Sequence, residues 1–73
     1  MASWVDQSVI INFEPLPHIK DIMEQCELLN DQENYAFFEW ADTLDNQCKY
    51  ACTAGGMSKE QWDLVARRYL GAF

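Results

Sequence analysis

Several things are missing from this 73-residue chain, and each absence narrows the field. No run approaches the ~18 consecutive apolar residues of a membrane-crossing helix. The length leaves no room for a Rossmann sheet or a (β/α)8 barrel and fits one domain. Three glycines and two prolines suit a helical chain better than a turn-rich β one. There is a single histidine, His18, and no G-x-S-x-G, glycine-rich phosphate loop or H-E-x-x-H. No Asn-x-Ser/Thr sequon occurs. The start, Met1-Ala2-Ser3-Trp4, has no basic region followed by an apolar run, so no export is expected. Lysine and arginine are absent from Asp21 through Cys48.

What is present argues for a folded module. Apolar residues make up 49% of the chain and ten positions are aromatic, too many for a disordered segment. A chain of about 60 residues buries only about 60% of its unfolded surface, so the core is small. The net charge is −7. Its distribution says more than its total. Asp21, Glu24, Glu27, Asp31, Glu33, Glu39, Asp42 and Asp45 form an anionic block, whereas Lys49, Lys59, Arg67 and Arg68 outnumber Glu60 and Asp63 in the last third. An acidic body disfavours general nucleic-acid binding, which needs cations to replace phosphate counterions, and favours a basic protein partner. Cys26, Cys48 and Cys52 are odd in number and lack an export signal, which fits reduced thiols in a cytoplasmic setting.

The expected architecture is all-α: a small three-helix bundle with a short N-terminal extended arm or strand over residues 1–16. Ser8 to Phe13 is β-branched and aromatic, and Glu14-Pro15-Leu16-Pro17 ends it. Helix 1 is expected over residues 17–29, with Ile19, Ile22, Met23, Cys26 and Leu29 on one face. Asn30 with Glu33 has capping-box spacing, so helix 2 is expected over 31–53. Its seam of Phe37, Ala41, Leu44, Cys48 and Ala51 repeats at four, three, four and three, and Gly55-Gly56 ends it. Helix 3 is expected over 58–70. Ser58 and Gln61 form a capping box, and Met57 and Trp62 a hydrophobic staple. Trp62, Val65, Ala66 and Tyr69 form its inner stripe, and Arg67 and Arg68 suit the last turn.

The closing segment Met57-Ser-Lys-Glu-Gln-Trp-Asp-Leu-Val-Ala-Arg-Arg-Tyr-Leu-Gly resembles one found in small bacteriophage and prophage proteins. There an (L/M)-(S/T)-x-(K/E)-Q start opens the last helix after an acidic helical hairpin. The resemblance covers about 15 residues closely and implies a phage-type accessory protein. It transfers no catalytic residue.

Three groups of residues remain as candidates for function. Cys48 and Cys52, at i and i+4 of a helix, share a face and with Cys26 and His18 could complete four metal ligands. Cys26 and Cys48 also lie on apolar stripes, where free cysteine packs as a small hydrophobe, so no metal and no cofactor is expected. With one histidine and no partner nucleophile, no catalytic residue and no enzymatic activity are expected. Tyr35, Phe37, Phe38, Trp40 and Tyr50 crowd helix 2, and any left exposed would serve as anchors. Trp4 and Phe73 are further candidates for a dimer or partner contact. Glu39, Asp42 and Asp45 form a row at steps of three, as do Asp21, Glu24 and Glu27 in helix 1.

The expected partner-binding residues are therefore Glu39, Asp42, Asp45, Asp21, Glu24, Trp40 and Tyr35. The expected role is that of a phage-type protein in the host cytoplasm that binds and inhibits a basic, nucleic-acid-handling host protein or nucleoprotein complex, in the manner of an anti-CRISPR or host-takeover factor. No membrane association is expected, and a homodimer stays open. The alternative is a nucleic-acid-binding accessory module using Lys59, Arg67 and Arg68.

Overall fold

The computed structural model describes residues 4–31 and 33–71. Three helices, α1 (Pro17–Leu28), α2 (Ala36–Ala54) and α3 (Lys59–Tyr69), pack as a small all-α bundle. The Ala72-Phe73 tail, and with it the Phe73 contact, lies outside the described residues.

Each helix begins or ends where local chemistry dictates. Pro17 opens α1, where its missing N–H is no loss. Gly55 closes α2 in the left-handed region at φ 83°, a conformation that costs glycine little. Its N–H donates to the Cys52 carbonyl at 3.2 Å and the Gly56 N–H to the Ala51 carbonyl at 2.9 Å, the double bond of a Schellman motif. At α3 the Gln61 amide donates to Ser58 Oγ, and Gln61 Oε1 accepts from the Ser58 amide, both at 3.1 Å. The capping box read from the sequence is complete.

The core is the meeting of three stripes. Ile19, Ile22, Met23 and Cys26 from α1 face Phe37, Ala41, Leu44, Cys48 and Ala51 from α2, with Val65 and Tyr69 from α3 closing the third side. All five expected seam residues of α2 are buried. Leu29, expected on the same face of α1, is half-buried as its C-cap, Leu28 is exposed, and Trp62 and Ala66 are half-buried at the edge of α3.

Two expectations are corrected. Helix 2 does not begin at Asp31 but at Ala36. Asn30 does not cap it, because its Oδ1 accepts the backbone N–H groups of Trp4 and Val5, both at 2.8 Å. Between α1 and α2 the Asp31 Oδ1 accepts from the Glu33 amide at 2.9 Å and the Asp31 carbonyl from the Asn34 amide at 2.8 Å. Among the described residues there is no strand, so Ser8–Phe13 adopts the arm form. The arm packs Val5 into the core, with Trp4, Ile11 and Phe13 against it. One of its backbone groups meets a helix end: the Asp6 amide donates to the Arg68 carbonyl at 2.8 Å, one of the carbonyls that α3 leaves open at its C-terminus.

Candidate functional site

The side of α2 opposite its core stripe is the first candidate. At 100° per residue, Tyr35, Glu39, Asp42, Asn46 and Tyr50 fall within one narrow outward band, and all five are exposed. Tyr35 and Tyr50, at 72% and 65% exposure, bracket the acids at its two ends. The band spans about 22 Å, at a 1.5 Å rise per residue. Trp40 lies about 100° round the helix from Glu39 and is 38% exposed. Tyr35 is held from behind: its ring is 6.4 Å from Phe38 and 6.1 Å from Trp4, so it forms the exposed edge of an aromatic cluster fixed to the bundle.

The structure divides the expected acidic residues. Glu39 and Asp42 are exposed, and neither is in an ion pair among the described residues. Asp45 is half-buried and accepts from the Trp62 indole N–H at 3.1 Å, so it is partly a packing residue that ties α2 to α3. Asp21 and Glu24 are exposed on α1, and Glu24 stands on the rim of a groove of about 370 Å³ between the arm and α1. Their row is broken at its third member, since Glu27 turns to α3. Its Oε2 accepts from the Tyr69 hydroxyl at 2.6 Å and from Arg68 at 3.0 and 3.2 Å.

Arg68 is the residue whose role differs most from expectation. Its side chain is only 16% exposed, and its guanidinium also donates to the carbonyls of Val9 at 2.9 Å and Asp6 at 3.3 Å, and to Gln7 Oε1 at 3.2 Å. It is a clamp joining the arm, α1 and α3. Beside it, burial and the hydrogen bond to Glu27 push the Tyr69 phenol up to about 12. Arg67 pairs with Asp63 at 2.9 Å and Lys20 with Glu14 at 3.1 Å. Three of the five bases are thus neutralised internally, which leaves, among the described residues, nine side-chain carboxylates without an ion pair against Lys49 and Lys59.

The thiols divide as well. Cys26 and Cys48 are buried, and desolvation pushes them up to about 11 and about 12. Burial of this kind makes a thiol unreactive. Cys52 is half-buried, and its Sγ donates to the Ser58 carbonyl at 3.6 Å. His18 is exposed in the first turn of α1. Among the described residues no group of three His, Cys, Asp or Glu side chains converges as a metal site would require. No described helix is long and apolar enough to cross a membrane.

No protein-family model, curated protein or solved structure matches this chain. Sequence reasoning missed Tyr50 as a member of the outward band, although its spacing of fifteen from Tyr35 was there to be read. It also missed Glu27 and Arg68 as partners, for which no local signal exists.

Proposed function

We propose that this is a small acidic phage-type interaction protein that docks the outward face of α2 on a basic, nucleic-acid-handling host protein and blocks it in the host cytoplasm. The observation that carries this reading is the band itself. Glu39 and Asp42 lie exposed and unpaired between two exposed tyrosines, with no base on that face before Lys49. Tyrosine supplies large contact area at low entropic cost, and unpaired carboxylates steer a basic partner into register and speed its approach. Asp21 and Glu24 add to the same long-range field, and Trp40 flanks the band. The nucleic-acid-binding alternative is weaker, because Arg68 is engaged in the clamp and Arg67 is paired with Asp63.

The test begins with recovery of the partner from bacterial lysate and compares the native chain with Glu39→Lys/Asp42→Lys. Asp45 is left unchanged because it holds Trp62. Association should slow about tenfold or more at low salt, with a smaller loss at high salt, as the Debye length falls from about 10 Å at 0.1 M to about 3 Å at 1 M. Tyr35→Ala and Tyr50→Ala should instead raise the dissociation rate at both salt concentrations. Unchanged association for the charge-reversed variant would refute the proposal, as would direct, salt-sensitive binding of nucleic acid by the isolated protein.

A further inference from the structure

Lys49 and Lys59 are the two side-chain cations without an ion pair among the described residues, and both line one groove. The groove, about 440 Å³, runs along the seam between the C-terminal half of α2 and the start of α3. Cys52, Thr53, Met57 and Trp62 complete its lining. On the other side of Trp62 it is continued by a second depression of about 290 Å³, which Lys59 also borders.

The polar groups of the lining are already occupied, apart from the two ammonium groups. Thr53 Oγ1 donates to the Lys49 carbonyl at 3.0 Å, and Cys52 Sγ to the Ser58 carbonyl. The Trp62 indole N–H is used by Asp45, which fixes the ring plane. Beyond Trp62, the carboxylate of Asp45 accepts that bond and Asp63 is paired with Arg67. What the groove offers a ligand is therefore an apolar surface provided mainly by Trp62, over the buried Met57, with two cations unpaired among the described residues beside it. A pocket of roughly 300–1,000 Å³ with an apolar lining and a few polar groups is the usual form of a small-molecule site.

We infer that this groove binds a small amphipathic anion, a carboxylate or phosphate ester with an aromatic or short aliphatic body, the anionic group lying between Lys49 and Lys59 and the body against Trp62. The site adjoins the C-terminal end of the outward band of α2 but uses none of the residues assigned to partner docking, and it is tested without the proposed partner. In a chain of net charge −7 the general field repels anions. Selective binding of one here must therefore come from the two lysines, and that makes the inference testable by charge.

The experiment is a proton–nitrogen NMR titration of the full chain at constant ionic strength, with 3-phenylpropionate, its neutral amide and inorganic phosphate as three separate probes. Trp62→Phe identifies the Trp62 indole resonance. The carboxylate should shift that resonance and the Lys49, Cys52 and Thr53 amides along one saturating curve, with a Kd of about 1 mM. The neutral amide and phosphate alone should each bind about tenfold more weakly. Lys49→Ala/Lys59→Ala should bring the carboxylate down to the level of the amide. Both positions are exposed, and Lys49→Gln/Lys59→Gln serves in its place if circular dichroism shows lost helix. Scattered shifts without saturation, equal binding of amide and carboxylate, or a double variant that keeps the preference would each overturn the inference.

Discussion

Replacing Arg68 by methionine keeps most of the aliphatic stem and deletes the guanidinium. The deletion removes both bonds to Glu27 Oε2 and those to the Val9, Asp6 and Gln7 oxygens. Truncating one partner of a fully buried ion pair costs about 3–5 kcal/mol. Glu27 is 37% exposed, so water recovers part of its solvation, and the ion-pair loss falls to about 1–2 kcal/mol. The Val9 carbonyl loses a charge-assisted donor and adds about 1 kcal/mol. The expected total is about 2–3 kcal/mol, against about 4–11 kcal/mol for a chain of this size. The melting temperature should fall by roughly 10–20 °C. Arg67→Met is the internal control, because its pair with Asp63 is exposed on both sides and is worth about 0.3–0.5 kcal/mol. Urea and thermal denaturation followed by far-ultraviolet circular dichroism give both numbers. Equal losses for the two variants, or a loss below about 0.5 kcal/mol for Arg68→Met, would refute the clamp.

Asn30→Ala should cost about 1–3 kcal/mol, because it leaves the Trp4 and Val5 N–H groups without their acceptor, and tryptophan fluorescence should report release of the arm. Stability should fall as pH rises from 10 to 12. The Tyr69 phenol ionises near 10 in the unfolded chain and at about 12 in the fold, so the unfolded state holds fewer protons through that window. Denaturation midpoints at successive pH values should show a shallower fall for Tyr69→Phe. At pH 8 a thiol reagent should modify Cys52 in the native protein while Cys26 and Cys48, pushed up to about 11 and about 12, stay protected; mass spectrometry should find all three modified in urea.

The parts of the fold that were legible in the sequence are those written within one or two helical turns. Ser58 and Gln61 are three apart, so their capping box needs nothing beyond α3. The seam from Phe37 to Ala51 needs only helical periodicity, and Gly55 only a left-handed residue after it. Asn30 shows the limit. Its spacing from Glu33 satisfies the same capping rule, yet Trp4 and Val5, 26 and 25 positions away, take its side-chain oxygen, and the helix begins six residues later. The site divides in the same way. Glu39, Asp42 and Tyr35 are exposed because they lie opposite the seam, which the pattern foretells. Asp45 and Glu27 belong to equally regular rows, but each meets a donor on α3, and no periodicity within α1 or α2 encodes the position of α3. Arg68 was read by its place in a last turn, where a cation complements the helix dipole, and the arm that packs across it is invisible at that range.

The clamp on the arm also sets an order of events during synthesis. The segment carrying Asp6 leaves the ribosome early, but the guanidinium that binds its carbonyl follows 62 positions later. Until then the arm is held by Asn30 and by the packing of Trp4 on Tyr35, Phe37 and Phe38, and Val5 has no complete core to enter. Contacts of such long sequence separation form late, after shorter loops have closed. Docking of the arm after the transition state is the expected order, and its check is kinetic: weakening the clamp should accelerate unfolding while leaving the folding rate nearly unchanged. The segment farthest in sequence from its clamp is then expected to be the last locked and the first released.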